Sequence, residues 1–201
     1  MIRVLIAEDM HLIRGALVAL LSLETDIEVV AQVDRGDLIL ETARQTRPDV
    51  AVIDIDLPGL DGLSAASLLH VHLPTCHTLV LTGLGQPGNL LRALRVHVRG
   101  FMLKDAPADR LADAVRRVAA GQRVLDPELV AAAVETGTSP LTEREAEVLR
   151  TAESGLPTNE IAEALSLSPA TVRNYLSNAI AKVGARNRLD AIRIARDAGW
   201  L

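Results

Sequence analysis

The stretch that decides the fold lies at residues 49–62 and reads DVAVIDIDLPGLDG. Its apolar run, Val50 to Ile53, is bounded by charged residues, which is typical of a strand buried on both faces of a parallel sheet. Asp54 follows directly, and Pro58 with its neighbouring glycines predicts a turn before the next helix. Ligands collect at the carboxyl ends of such strands, so Asp54 is a candidate functional residue.

The same alternation of apolar runs and helical patterns extends over residues 1–120. The predicted strands are residues 3–7, 27–32, 49–54, 77–82 and 99–103. The predicted helices are residues 10–23, 36–46, 62–71, 87–95 and 107–119. Five strand–helix units predict an α/β domain, a doubly wound five-stranded parallel sheet with helices on both faces.

Only helices are predicted in residues 140–201, which we interpret as an all-α four-helix domain. Thr142 and Glu145 have capping-box spacing, and Ser168 with Pro169 marks another helix start. The four predicted helices cover about residues 142–155, 158–165, 168–184 and 187–198. Residues 121–139 mix glycine, proline and small side chains, and we interpret them as a linker with a short helix at 127–134.

The composition excludes several classes of protein. No stretch approaches the roughly 20 apolar residues of a membrane span, and the opening MIRVLIAEDM is too acidic for a secretory signal. Cys76 is the single cysteine, which excludes a disulfide framework and a multi-cysteine zinc site. One phenylalanine, one tyrosine and one tryptophan are too few for the stacking surface of a single-strand binder. We therefore expect a soluble cytoplasmic protein with no membrane partner.

Charge is distributed unevenly along the chain. Residues 1–139 contain 13 basic and 18 acidic side chains, whereas residues 140–201 contain 8 of each. Between Ala164 and Leu189 no residue is acidic, and the basic residues there are Arg173, Lys182, Arg186 and Arg188. This segment would attract a polyanion only modestly, and its charge alone fits a solvated helix face equally well.

Polar side chains follow four of the predicted strands where each strand ends. Glu8 and Asp9 come just after the first strand, Asp54 ends the third, Thr82 ends the fourth, and Lys104 stands at the end of the fifth. Crowded carboxylates repel one another unless a cation neutralises them, and Mg²⁺ suits such an oxygen-rich site. The predicted Mg²⁺ ligands are Asp9, Asp54 and the backbone carbonyl of Asp56, with Glu8 reaching through water.

Together these residues predict nucleophilic attack by Asp54 on a phosphoryl group. Mg²⁺ would mask the charge that repels the donor, Lys104 would add a second positive charge, and the Thr82 hydroxyl could bond a phosphoryl oxygen. Taken singly, Asp54 could cap a helix and Thr82 could occupy a turn. The hypothesis depends on the whole set.

Four motifs in residues 1 to about 120 resemble the receiver domain of response regulators. They are Ala7-Glu8-Asp9, DIDLPGLDG at 54–62, Leu81-Thr82 and GFMLKD at 100–105. The resemblance implies the flavodoxin-like strand order 2-1-3-4-5 and phosphate transfer from a sensor histidine kinase to Asp54. It also implies that Phe101 swings inward with Thr82 on activation, although core filling describes Phe101 in the resting state.

Residues 140–201 resemble the LuxR-type helix-turn-helix, and with the receiver they give the NarL/FixJ layout. The motifs include LTEREAEVL at 141–149, Thr171-Val172-Arg173 and Lys182-Val183-Gly184. The helix that follows the turn carries basic residues and has a size that fits the major groove of B-DNA. Arg173-Asn174-Tyr175 and the Gly199-Trp200 ending are similar to regulators of the DesR-like subgroup.

The LuxR resemblance implies a set of DNA contacts. Base-edge contacts are implied for Arg173, Asn174 and Ser177. Phosphate contacts are implied for Thr158, Asn159, Ser168, Thr171 and Lys182. The chain departs from the family pattern at Asn159, where many relatives have lysine, and at Tyr175, where many have histidine. The first difference weakens the attraction for phosphate.

One such domain with so little charge would bind DNA poorly, so we expect a homodimer on activation. Ala191, Ile192 and Ala195 on the last predicted helix could pack against a second copy on a two-fold operator. Ile192 could equally complete the core of its own domain.

We interpret the chain as a response regulator of a two-component system and not as an enzyme. Phosphorylation of Asp54 would promote dimerisation and sequence-specific binding to a double-stranded DNA operator, and so regulate transcription. One alternative is a phosphatase of the haloacid-dehalogenase type, with Asp54-Ile55-Asp56 as its nucleophile motif, although that motif usually follows a first strand. Another is a protein-interaction module, which the zero net charge of residues 140–201 favours.

Overall fold

The computed structural model describes residues 1–83, 87–135 and 139–201, which form two compact units. The first consists mainly of residues before Ala131, and the second mainly of residues from Ala131 onward. In the part of the chain that the structure describes, no helix has both the length and the apolar character needed to cross a membrane.

Within the described residues, the first unit contains a six-stranded parallel sheet with the order β2-β1-β3-β4-β5-β6. Its strands are β1 (Ile2–Ala7), β2 (Ile27–Val33), β3 (Val50–Asp54), β4 (His77–Thr82), β5 (Gly100–Leu103) and β6 (Val124–Leu125). The first five strands have the 2-1-3-4-5 order, so the expected doubly wound fold is confirmed. The sequence does not predict β6, because two residues are too few to show a period.

Helices lie between and after these strands. They are α1 (His11–Ser22), α2 (Ile39–Thr46, after a 3-10 turn at Gly36–Leu38), α3 (Gly62–His72), α4 (Pro87–Arg95), α5 (Asp109–Ala119) and, after the sheet, α6 (Pro127–Glu135). Of these, α1, α2, α3 and α5 contact the sheet. Every residue of β3 is buried, as its uninterrupted apolar run predicts. A core between the sheet, α1 and α5 includes Val4, Ile6, Val52, Leu79 and Val115.

The single cysteine of the chain belongs to this buried interior. Cys76 is 4% exposed. Burial raises the pKa of its thiol to about 12, and the negative charge of Asp49 acts in the same direction. The thiol is therefore protonated at neutral pH and unreactive.

The second unit contains α7 (Glu143–Glu153), α8 (Thr158–Ala164), α9 (Pro169–Lys182) and α10 (Arg188–Asp197). The capping box at Thr142 is confirmed, since its side chain accepts from the Glu145 N–H and Glu145 accepts from the Thr142 N–H. Ser168 caps α9 by accepting from the Thr171 N–H at 3.1 Å. The helices surround a small apolar core that includes Leu149, Ile161 and Val172.

Candidate functional site

Three charged side chains meet where β1, β3 and β5 end. Lys104 Nζ lies 2.7 Å from Glu8 Oε2 and 3.0 Å from Asp54 Oδ2. Glu8 follows β1, Asp54 is the last residue of β3, and Lys104 follows β5. Because these parallel strands all end at one edge of the sheet, residues distant in sequence come together there.

Burial determines the electrostatics of this group. Glu8 is 1% exposed and Asp54 is 5% exposed. Burial raises the pKa of Glu8; the Lys104 hydrogen bond offsets only part of this, and the negative charge of Asp54 raises the pKa further. Burial lowers the pKa of Lys104, but hydrogen bonds and charges from Glu8 and Asp54 outweigh it, so the pKa lies above its ordinary value. Lys104 therefore stays protonated.

Glu8, Asp9 and Asp54 form an acidic cluster that could hold a divalent cation. Each offers one carboxylate oxygen, and these oxygens all lie within 4.8 Å of one another. Asp9 is exposed, so the cluster is open to solvent on its side. Three converging carboxylates with one lysine leave a negative excess, which fits a hard cation with oxygen ligands. The Asp56 carboxylate is exposed and outside this cluster, and a metal contact through its backbone carbonyl remains a prediction.

Thr82 and Phe101 lie on β4 and β5, which are neighbouring strands of the sheet. Thr82 ends β4, is 1% exposed, and accepts from the Lys104 backbone N–H through its carbonyl at 2.9 Å. This bond links the ends of β4 and β5 next to the acidic cluster. Phe101 on β5 is 1% exposed and fills the core, as expected for the resting state. Its role in activation remains a prediction.

The loop after Asp54 is held tightly by backbone contacts. The Ile55 N–H donates to Asp54 Oδ1 at 2.8 Å, and the Gly62 N–H donates to the Ile55 carbonyl at 2.9 Å. A Cβ on Gly62 would lie 1.9 Å from the Asp54 carbonyl oxygen, so only glycine allows this approach. The Gly36 N–H also donates to the Pro58 carbonyl at 3.0 Å, which attaches the loop to the segment after β2.

Arg14 on α1 is a site residue that the sequence analysis misses. Its Nη1 donates to the Glu8 carbonyl at 2.5 Å and lies 3.5 Å from the Asp9 carbonyl. Its Nη2 is 2.5 Å from His11 Nδ1. The guanidinium thus holds the backbone of the acidic pair. The available signal was a basic residue one helical turn into the helix that follows the acids.

The side chains implied in DNA binding lie on or beside α8 and α9 and retain solvent exposure. Arg173, Asn174 and Ser177 are exposed on α9, opposite the buried Val172 and Leu176. The remaining predicted positions are exposed or half-buried: Thr158, Asn159, Ser168, Thr171 and Lys182. Ser168 and Thr171 share a hydroxyl–hydroxyl hydrogen bond of 2.8 Å at the start of α9.

Three of the four basic side chains between residues 164 and 189 already contact carboxylates or backbone carbonyls of their own unit. Lys182 Nζ lies 2.7 Å from Glu145 Oε2, and Arg186 Nε lies 3.1 Å from Asp190 Oδ2. Arg188 donates to the carbonyls of Ala152 and Leu156. Among the described residues, Arg173 has no carboxylate within ion-pair distance.

The prediction of a dimer surface at Ala191 and Ala195 is wrong. Both are completely buried in the core of their own unit, where a second copy cannot reach them. Ile192 is partly buried and packs against the same core. The large apolar side chain that α10 exposes is Leu189, which is 76% exposed.

Comparison with known proteins gives a match for each unit. Residues 4–116 match the family described as response regulator receiver domain. Residues 139–195 match the family described as bacterial regulatory proteins, luxR family.

Curated relatives match along the full chain. Transcriptional regulatory protein DesR of Bacillus subtilis (strain 168) is 40% identical over 200 residues, covering 100% of this chain and 99% of that protein. Response regulator RamR of Streptomyces coelicolor is 41% identical over 201 residues, covering 100% and 98%. Among solved structures, response regulator ChrA of a heme-sensing two-component system has a TM-score of 0.61 and 34% identity, covering 100% of this chain and 98% of that one.

Proposed function

Because this chain belongs to the NarL/FixJ family of response regulators, with a DesR-like pairing of a receiver and a LuxR-type helix-turn-helix, we propose that Asp54 is its phosphoacceptor. A sensor histidine kinase is its partner, and phosphorylation promotes dimerisation and binding to an operator in double-stranded DNA. We assign residues 1–120 to the receiver, 121–139 to the linker and 140–201 to the DNA-binding domain. A protein whose target is chromosomal DNA acts in the cytoplasm, and this location is part of the proposal.

The observation that carries the proposal is the convergence of Asp54 with Glu8, Asp9 and Lys104. The Asp54 carboxylate is held in one orientation, since Oδ1 accepts from the Ile55 N–H and Oδ2 faces Lys104 at 3.0 Å. One of its oxygens attacks phosphorus as the bond to the kinase histidine breaks. A bound Mg²⁺, held by Asp9, Asp54 and the Asp56 carbonyl with Glu8 through water, would neutralise the charge that repels the donor.

The residues around Asp54 then bind the new phosphoryl group. Lys104 exchanges part of its contact with Asp54 for a phosphoryl oxygen, and the Thr82 hydroxyl binds another. Because Thr82 and Phe101 lie on neighbouring strands, a movement of Thr82 toward the phosphoryl group is coupled to a change at Phe101.

In the DNA-binding domain, α9 enters the major groove. Arg173, Asn174 and Ser177 contact base edges, and residues near the two helix starts contact phosphate. Leu189 on α10 is the exposed apolar side chain we assign to the contact with a second copy. Two copies double the phosphate contacts, which compensates for the weak charge of one domain.

The test combines phosphorylation with DNA binding. Full-length protein incubated with acetyl phosphate and Mg²⁺ should gain one phosphoryl group by intact mass, and its mass in solution and its DNA affinity should rise. Asp54→Ala should remove all three effects, whereas Asp56→Ala should still gain the group. Equal labelling of the Asp54→Ala protein would refute the assignment, and repeated turnover of small phosphate esters would favour the phosphatase alternative.

A second expectation concerns Arg14, which holds the Glu8 and Asp9 carbonyls. Arg14→Gln should weaken Mg²⁺ binding by roughly tenfold, because outer groups that orient ligands typically affect metal affinity by 10–100-fold. Loss of a positive charge alone would instead tighten Mg²⁺ binding, so the sign of the change distinguishes the two roles. Calorimetric titration with Mg²⁺ measures it.

The control for Arg14→Gln is Arg123→Gln. Arg123 is exposed and precedes β6, so it lies at the amino ends of the strands, away from the acidic cluster at their carboxyl ends. Its replacement removes the same charge without changing any contact of the cluster. Unchanged or tighter Mg²⁺ binding by the Arg14→Gln protein would show that Arg14 does not position the acidic pair.

A further inference from the structure

Glu145 is a buried carboxylate that the proposed function does not use. It is 3% exposed at the start of α7. Its Oε2 accepts from the Thr142 backbone N–H at 2.7 Å and lies 2.7 Å from Lys182 Nζ. Burial raises the pKa of Glu145, but the hydrogen bonds from Lys182 and Thr142 outweigh burial, so its pKa lies below the ordinary value. The carboxylate is therefore ionised, and a buried charge of this kind is stable only while its hydrogen-bond and ion-pair partners stay in place.

The second partner, Lys182, is the last residue of α9. One oxygen of Glu145 therefore joins the beginning of α7 to the end of the helix that carries Arg173, Asn174 and Ser177. The Ser168 cap ends the helix on the other side by a bond within α9 itself. The contact through Lys182 therefore connects the carboxyl end of α9 to α7.

The same contact changes what Lys182 can contribute to phosphate binding. With a carboxylate 2.7 Å from its ammonium, the pair has no net charge. A protein gains salt-dependent affinity from DNA by replacing counterions with net positive charge, and a neutral pair replaces none. If Lys182 moved to a phosphate, it would leave the Glu145 carboxylate buried without its cation.

We propose that Glu145 and Lys182 act as a positioning pair for α9, and that Lys182 is an anchor instead of a phosphate contact. The inference rests on the proposed DNA-binding function and revises one of the contacts that the family resemblance implies. Net phosphate attraction then comes from other groups of the domain.

The salt dependence of DNA binding tests this inference. Full-length wild type, Lys182→Gln, Glu145→Gln and the double variant are titrated by fluorescence anisotropy over a range of NaCl concentrations. The probes are a random-sequence duplex of about 30 base pairs and a duplex selected by the wild type from a randomised pool. Trp200 is the only tryptophan and lies in this domain, so its fluorescence shows that each variant is folded.

Lys182→Gln should leave the slope of log affinity against log salt unchanged on both duplexes. Its preference for the selected duplex should fall by roughly tenfold, as when one base-edge contact of α9 is lost. Glu145→Gln should steepen the slope by about 0.9, because the unpaired Lys182 becomes available to phosphate, and the double variant should restore the wild-type slope.

Two results would overturn the inference while leaving the proposed function intact. One is a slope that falls by about 0.9 in Lys182→Gln, which would make Lys182 a phosphate contact. The other is an unchanged slope and an unchanged duplex preference in both single variants. Absence of salt-dependent DNA binding by the wild type would instead reject the proposed function itself.

Discussion

Replacement of Lys104 by glutamine should destabilise the metal-free receiver by about 3 kcal/mol, since breaking a buried ion pair leaves a buried charge without its partner. Lys104 contacts both Glu8 and Asp54, which are almost completely buried. Glutamine keeps much of the side-chain volume and a hydrogen-bond donor, so the loss reports mainly on charge. Urea unfolding followed by far-UV circular dichroism measures it.

Magnesium should reverse part of the effect. Without Lys104 the acidic cluster has a larger negative excess, so the variant should gain more stability from Mg²⁺ than the wild type. The matched control is Arg116→Gln, because Arg116 also pairs with two carboxylates, Glu24 and Asp26. Those groups are on the surface, so the control should lose far less stability and show no added response to Mg²⁺. Equal losses would show that Lys104 stabilises the fold no more than a surface cation.

Gly62→Ala should reduce both the stability of the receiver and the rate of its phosphorylation. Its Cβ would lie 1.9 Å from the Asp54 carbonyl oxygen, and neither backbone segment can give way without moving Asp54, the proposed phosphoacceptor. We expect a loss of about 2–3 kcal/mol from overpacking, and at least a tenfold slower phosphorylation by acetyl phosphate, because small displacements of reacting groups are costly. Unfolding and phosphorylation kinetics measure the two effects.

Gly15→Ala provides the control. Gly15 lies within α1, and a Cβ there would meet nothing within 4 Å among the described residues. Alanine is the better helix former, so this variant should be unchanged or more stable by about 0.5–1 kcal/mol and should be phosphorylated normally. A Gly62→Ala protein as stable and as reactive as the Gly15→Ala protein would contradict the close approach.

The strand pattern explains why so much of the receiver site could be predicted. The carboxyl ends of parallel strands lie at the same edge of the sheet. Side chains at the ends of three such strands, Glu8, Asp54 and Lys104, are therefore expected to lie close together. Each of these predicted site residues stands at the end of an apolar run, and such a run is visible in the sequence. Arg14 escaped prediction because it acts on backbone carbonyls through a long side chain, and helical periodicity does not reveal that contact.

The helical domain shows a second limit of pattern reading. The spacing of Ala191 and Ala195 marks an apolar stripe on α10, but the stripe does not show whether it faces its own core or another copy. Small side chains are the ones that fit a close helix contact, and both prove to be core residues. The contact between Glu145 and Lys182 joins residues 37 positions apart, so no local pattern predicts it.

The buried, protonated thiol of Cys76 makes the natural chain suitable for site-selective labelling. A cysteine introduced at an exposed position such as Val71 would be the reactive thiol at neutral pH, and a maleimide dye would attach there selectively. Trp200, in the other unit, could serve as the fluorescence donor. Energy transfer between the two would follow the separation of the units before and after addition of acetyl phosphate, without removal of any native cysteine.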